Sequence, residues 1–297
     1  MSSWASSASR GSAGAVVDNV PRGRVVIDRF SPMISVRQTG GVGNRIIQVL
    51  TGLSYAKRVG KQFVFVEDHM AHNAHTPAKA TKDFMLELFP TVKVYRGRGG
   101  WKNTIKEPVG THYIYNAFPD VSGSVLLEGY FQNIGYFDDV VLRDGFRFPR
   151  RRTGTQYDLS GVDLDHTYFI HFRKGDYINS EFAVDLSDYY KKAVAAVLEF
   201  DAAGRFLVFS DEVSKITGDL AGYGINEDLV AGIVPVSLGI QESLWLMSSA
   251  RGGICANSTF SWIAAYGCKG DGPLFIPACW STRHPDFVFT APWLRVL

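Results

Sequence analysis

The sequence predicts an open α/β fold built on parallel, doubly wound sheets. Three observations carry this. Short apolar runs alternate with amphipathic segments in both halves of the chain, joined by short loops. A glycine turn, Gly40-Gly41-Val42-Gly43-Asn44, stands between a strand-like run and a helix-like one. Three polar clusters, Arg173-Lys174-Gly175-Asp176, Ser210-Asp211-Glu212 and Asn257-Ser258-Thr259, each follow directly on an apolar run. In a parallel sheet all carboxyl ends lie on one edge, so the three clusters converge on one crevice.

Taken in order, residues 1–24 are rich in Ser, Ala and Gly with scattered Arg. They lack the continuous apolar stretch of a signal peptide and read as a mobile tail, with a Ser/Arg-rich transit peptide as the minority reading. Order is expected from Val25. Met33–Val36 reads as a strand. After the glycine turn, Ile46, Val49, Leu50, Leu53 and Ala56 recur at helical spacing, and Gly60 ends that helix. Phe63–Val66 is the second strand of this βαβ unit. Glu67 to Lys82 reads as a polar surface loop. Its His69, His72 and His75 sit three apart, but the third drifts off a shared helix face and no HExxH is present, so a metal site is not expected. Lys93–Tyr95 and Val125–Leu127 read as further strands, the second running into an aromatic block from Glu128 to Phe137. A basic connector with Arg150, Arg151 and Arg152 marks a boundary near residue 155. The expected organisation is thus a tail (1–24), an N-terminal domain (25–155) and a C-terminal domain (156–297).

The second half repeats the rhythm. Thr167–Ile170 is a strand. Ser187 is placed to cap a helix whose apolar face is Tyr190, Ala193, Val194, Val197 and Leu198. Phe206–Phe209 is a strand, Gly239 to Ala250 a helix, Gly253–Ala256 a strand, a helix follows through Ala265, and Leu274–Ile276 is the last strand.

The 297 residues suit one large or two medium α/β domains, and 46% hydrophobic with 20% charged residues fits a sizeable core under a charged surface. A formal net charge of +2 excludes an argument for nucleic acid or membrane binding from bulk electrostatics. No segment approaches the roughly 18 apolar residues that a membrane span needs. Cys255, Cys268 and Cys279 form no disulfide framework and have no CxxC spacing, so they read as core thiols of a reducing compartment. The expected location is cytoplasmic.

The crevice chemistry suits a nucleoside diphosphate. Arg173 offers a planar fork for phosphate oxygens and Lys174 a point charge. Asn257-Ser258-Thr259 opens a helix, whose free N–H groups and dipole favour an anion. Ser258 or Thr259 as a plain helix cap is compatible with that. Asp211 and Glu212 can accept from ribose hydroxyls or a base edge. The plain alternative for the basic corner is a solvated turn with an Arg–Asp pair. The one DxD, Asp163-Leu164-Asp165, precedes its strand and so lies at the wrong edge for a metal-bound diphosphate.

Gly40 to Gln48 resembles the glycine-rich N-terminal signature of the α-1,2-fucosyltransferases, glycosyltransferase family 11. Glu128-Gly129-Tyr130-Phe131-Gln132 with Tyr136-Phe137 is similar to that family's central aromatic block. His171 to Tyr177 resembles its His-x-Arg-Arg-Gly-Asp-Tyr signature. Tyr189-Tyr190, Phe209-Ser210-Asp211 and Asn257 to Trp262 match in the family's order. Lys174 replaces the second arginine, Arg45 stands where glutamine is common, Ile263 where a second tryptophan is common, and Asp185 near where many members have a histidine.

The resemblance implies a GT-B-like fold, two Rossmann-like domains with parallel sheets facing across a cleft. It implies an inverting, metal-independent transfer of fucose from GDP-fucose, usually to the 2-hydroxyl of a galactoside in a glycan acceptor. Arg173 is expected on the donor diphosphate, Asn44 near the reacting sugar, and Asp176 beside Arg173. The expected donor site comprises Gly41, Gly43, Asn44, His171, Arg173, Lys174, Ser210, Asp211, Asn257, Ser258, Thr259, Phe260 and Ser261. Tyr130, Gln132 and Asp185 are expected on the acceptor side. No metal or other cofactor is expected. Asp176, Glu181 and Asp185 stand as candidates for the general base. Two alternatives remain open: a transferase using another GDP-deoxyhexose, and a non-catalytic module that binds nucleotide sugar or glycan.

Overall fold

The computed structural model describes residues 31–66, 69, 78–95, 101–111, 113–138, 157–268 and 270–297. The N-terminal tail, His72, His75, the Arg-rich connector and the expected boundary near residue 155 lie outside the described residues.

The chain forms two sheets. The first has five strands in the order β3-β2-β1-β5-β4, and every described pairing is parallel. These are β1 (Met33–Val36), β2 (Gln62–Val66), β3 (Lys93–Tyr95), β4 (Asn103–Lys106) and β5 (Val125–Glu128). Helix α1 (Val42–Arg58) joins β1 to β2, and α2 (Ala78–Leu88) precedes β3. The second sheet, also parallel, has six strands in the order β11-β10-β9-β6-β7-β8. They are β6 (Thr167–Phe172), β7 (Arg205–Ser210), β8 (Val230–Ile233), β9 (Gly252–Ile254), β10 (Leu274–Ile276) and β11 (Arg295–Val296). Three helices accompany them: α3 (Ser187–Phe200), α4 (Ile240–Ser249) and α5 (Thr259–Gly267).

Both strand orders reverse once. In the first sheet the chain winds outward from β1 through β2 to β3, and β5 then lies on the other side of β1. In the second it winds from β6 to β8, and β9 lies on the other side of β6. The carboxyl ends beside such a reversal splay apart and leave a crevice. In the first sheet the crevice falls at the glycine turn and at Gly129-Tyr130. In the second it falls at Arg173 and at Asn257-Ser258.

Some elements differ from the sequence expectation. Residues 78–88 are helix α2 where a polar loop was expected to run to Lys82, because Phe84, Met85 and Leu88 find a core to bury in. His69 is buried against Trp101, with ring centroids 5.7 Å apart, and not on a surface loop. Strand β6 continues through Phe172, so His171 and Phe172 belong to the strand and the corner begins at Arg173. Ser187 is the first residue of α3 and not its cap. Leu186 stands at the N-cap, and Asp185 before it accepts from Ser187 N at 3.0 Å and Ser187 Oγ at 2.7 Å. Strands β4, β8 and β11 were not expected.

The two halves share one apolar core. Ile46, Ile47 and Leu50 of α1, Trp262 and Ile263 of α5 and Leu207 and Phe209 of β7 belong to a single cluster. Trp262 lies stacked on Phe289 with centroids 4.4 Å apart. A fully buried aromatic of this kind holds about 3–5 kcal/mol against truncation. The other face of the second sheet packs separately on α3 through Tyr168, Ile170, Phe172, Tyr190 and Val194. With the halves joined this way, core packing sets the walls of the crevice.

Candidate active site

A cleft of about 1220 Å³ lies where the two reversal points face each other. One wall is Gly40 to Asn44. The other is made by the ends of β6, β7 and β9 and by residues 234–243, from the end of β8 into the first turn of α4. Gly40 has φ +74°, a left-handed conformation that lets the chain turn from β1 straight into α1. Gly41 caps α1 without any side-chain hydrogen bond, so the first N–H groups of the helix are not taken by a capping side chain. Gly43 is pressed against the start of α5. A Cβ there would lie 2.5 Å from Thr259 C and 2.6 Å from Phe260 N. Two helix N-termini from different halves therefore meet at the cleft, both with positive ends toward it.

At the end of β6, Arg173 is held by two carboxylates. Its Nε donates to Asp176 Oδ1 at 2.9 Å and lies 3.2 Å from Asp211 Oδ2, and its NH2 lies 2.8 Å from Asp176 Oδ1. Burial alone would lower its pKa; the hydrogen bond to Asp176 and the charge of Asp211 raise it instead, so the guanidinium stays charged. Asp211 also accepts from the backbone N–H of Lys174 at 2.8 Å and of Gly175 at 3.0 Å. It thereby closes the corner as a brace. Tyr177 covers Arg173 from the side, 5.5 Å from ring centroid to guanidinium carbon, and its OH donates to Asn257 O at 3.1 Å. Burial pushes the Tyr177 phenol up to about 12, with Arg173 pulling the other way.

His171 lines the cleft from inside the strand and is buried. Desolvation, with help from the Arg173 charge and against that of Asp211, pushes its imidazole down to about 3. It is a neutral ring at working pH.

Of the expected site residues, the cleft brings together Gly41, Gly43, Asn44, His171, Arg173, Asp176, Ser210, Asp211, Ser258, Thr259 and Phe260. Six stand outside its lining. Lys174 turns its ammonium over the Tyr223 ring, 5.5 Å from the centroid, because the strand end points successive side chains to opposite faces. Asn257 is buried, with its Nδ2 donating to Phe182 O at 3.0 Å and Trp280 O at 2.8 Å. Ser261 is buried in α5 and bonds back to Ser258 O at 3.2 Å. Gln132 is buried and bonds Asn44 Oδ1 at 2.9 Å. Tyr130 packs beside Gly40, and Asp185 is exposed just before α3, bonded to Ser187 N.

The helix from Gly239 was expected, but β8 was not, nor that residues 234–243 line the cleft. Pro235 and Gly239, which precede that helix after a short apolar run, were the available signal. Phe182 and Trp280 also line the cleft unannounced. Among the described residues no group of three His, Cys, Asp or Glu stands close enough to hold a metal ion. None of the described helices is long and apolar enough to cross a membrane.

The fold and the cleft define a two-sheet α/β protein of GT-B-like build. A solved structure described as POFUT1 in complex with GDP-fucose has the same fold, with a TM-score of 0.50 and 14% identity over 84% of this chain and 99% of that one. The family described as Glycosyl transferase family 11 matches residues 120–288, and the chain belongs to that glycosyltransferase family. Two Escherichia coli proteins are similar to it. One, an O-antigen biosynthesis glycosyltransferase WbnK, is 30% identical over 276 residues, covering 77% of this chain and 88% of that protein. The other, an alpha-1,2-colitosyltransferase, is 29% identical over 191 residues, covering 59% of this chain and 64% of that protein.

Proposed function

We propose that the chain transfers fucose from GDP-fucose to a glycan hydroxyl, the 2-hydroxyl of a galactoside, with inversion and without a metal ion. One observation carries the reading: a charged, clamped Arg173 and the N-termini of α1 and α5 converge on one cleft. The acceptor oxygen attacks the anomeric carbon as the bond to the diphosphate breaks, and the acceptor proton leaves to a carboxylate or water. Arg173 and the helix N-termini stabilise the negative charge that grows on the departing GDP. Neutral His171 offers a hydrogen bond without adding charge. Asp176 and Asp211 hold Arg173 in place. That leaves Glu181 and Asp185 among the expected general bases, both outside the lining of the cleft. The Glu181 carboxylate lies 3.5 Å from Arg283.

A second reading changes the donor to another GDP-deoxyhexose, and the similarity to a protein named for colitosyl transfer favours it. One experiment separates the readings. Nucleotide release is measured with GDP-fucose, other GDP-deoxyhexoses and UDP-sugars, with and without galactosides, in the presence of EDTA. GDP-fucose turnover that persists in EDTA and falls about 10²–10³-fold in Arg173→Ala is the expected result. Turnover restored only by Mn²⁺ or Mg²⁺, or a folded Arg173→Ala of normal rate, overturns the mechanism. GDP-sugar binding without turnover on any acceptor establishes a binding module.

A further inference from the structure

Asn44 enters the cleft from the first turn of α1, and its carboxamide can present either an oxygen or an NH2 to a ligand. The neighbouring side chains decide which. Gln132 Nε2 lies 2.9 Å from Asn44 Oδ1. Gln132 is buried and does not line the cleft, whereas Asn44 does. The Asn44 Nδ2 lies against Gly40, which is also a cleft residue.

Gln132 is itself held by an unusual turn. Among the described residues Phe131 is the one non-glycine residue with positive φ, at 53°, and it is fully buried. A bulky residue stays in that conformation only where its surroundings over-determine it. They do. Glu107, just beyond β4, accepts from Tyr130 N at 2.7 Å and Phe131 N at 2.9 Å, and its own N–H donates to Glu128 O at 2.8 Å. Gln48 of α1 donates to Gly129 O at 2.9 Å, and Asn133 N donates to Phe131 O at 2.8 Å. Each of the residues 129–131 is thus pinned by a side chain from another element, and the kinked chain delivers Gln132 to Asn44.

We infer that Gln132, aimed by Glu107 through the Phe131 turn, is a positioning residue that occupies the Asn44 oxygen and so fixes Asn44 as a hydrogen-bond donor to an oxygen of the bound nucleotide sugar. This rests on the nucleotide-sugar reading above and goes beyond it. It moves Gln132 from acceptor contact to support of the donor-side wall, and it gives Glu107 a role that no motif marks.

The test compares Asn44→Ala, Gln132→Glu, Gln132→Met, Glu107→Gln and the double variant Asn44→Ala/Gln132→Glu. The readouts are GDP-sugar turnover, GDP-sugar affinity by calorimetry, and thermal unfolding. A glutamate at 132 cannot donate at neutral pH; it accepts from Asn44 Nδ2 and turns the oxygen toward the ligand. Gln132→Glu is expected to lower kcat by about 10²-fold, the scale for losing one aligned donor, with KM shifted far less. Gln132→Met, which frees the carboxamide without inverting it, is expected to cost less than Gln132→Glu. Glu107→Gln is expected to lower kcat in the same direction. The double variant is expected to be no slower than Asn44→Ala alone, since both changes act through one group. Additive losses, or a folded Gln132→Glu of normal kcat, overturn the inference and leave the functional reading standing. If the unmutated protein binds GDP-sugar without turnover, the same non-additivity is read in affinity. If it neither binds nor turns over GDP-sugars, the functional reading falls and the inference with it.

Discussion

Gly43→Ala tests whether the cleft is built by contact between the two halves. Gly43 sits in the second position of α1, and an added methyl would lie 2.5 Å from Thr259 C, 2.6 Å from Phe260 N and 2.7 Å from Thr259 O. All three atoms are backbone at the start of α5, so no side-chain rotation relieves the clash. Ordinary contact begins near 3.4 Å. The two helix N-termini must therefore separate by about 1 Å, which costs about 1–3 kcal/mol by the usual scale of overpacking. Better helix propensity of alanine returns at most about 1 kcal/mol. The net expectation is a loss of about 1–2 kcal/mol in urea unfolding and about 10²-fold in turnover, the penalty for a misplacement of that size. Gly218→Ala is the control: nothing lies within 4 Å of its Cβ position, and its stability should change by less than about 0.5 kcal/mol. A Gly43→Ala protein as stable and active as its parent would show that the halves do not meet as described.

Three further outcomes follow from buried groups. Arg45 is fully buried, its Nε donates to Gly40 O at 3.0 Å, and its NH1 and NH2 have no partner, so Arg45→Met should stabilise the empty protein by about 1–2 kcal/mol while weakening GDP affinity; lower stability in urea would contradict this. His171 has a folded pKa of about 3 against an ordinary 6.5, so the unfolded chain binds the extra proton between those values and stability falls as pH drops through that window, by up to about 1.4 kcal/mol per unit. Urea midpoints of the parent and His171→Asn from pH 7 to 4 should differ in slope by that one proton, and parallel slopes would refute it. Asn257→Ala removes the donor to Phe182 O and Trp280 O and should cost about 2–4 kcal/mol in the same assay; a loss below about 0.5 kcal/mol would deny the tie.

The central strands were legible because burial on both faces makes them continuous apolar runs, as in Tyr168-Phe169-Ile170 and Phe206-Leu207-Val208. The edges were not. Strand β4 reads Asn-Thr-Ile-Lys with alternate residues exposed, β8 contains a glycine and a register shift, and β11 is two residues long. Each depends on its neighbour for its conformation more than on its own residues. The same division holds in the site. Arg173 was visible as a charge after an apolar run, and Asn44 as the end of a glycine turn. That Asp211 braces the Lys174 and Gly175 amides, that Lys174 turns to Tyr223, and that Gln132 meets Asn44 are long-range pairings. No local pattern encodes them.

Those pairings change how the cleft would attract the diphosphate of the proposed donor. The corner that names two cations in sequence has one in space, since Lys174 lies over Tyr223. That one, Arg173, is flanked by Asp176 and Asp211, so the three groups together carry a net negative charge. A diphosphate would not be drawn to this corner by Coulomb attraction alone. Toward the proposed donor, what Arg173 would contribute is direction, a fixed fork for oxygens that arrive for other reasons. The attraction must come from the glycine-turn wall: the N–H groups of α1 that no side chain caps, the facing N-terminus of α5, and the unpaired charge of Arg45 behind Gly40. This explains why the two halves are cemented by a shared core. Neither the arginine corner nor the glycine turn is an anion site by itself, and the activity proposed for the chain needs the contact at Gly43 that brings them together.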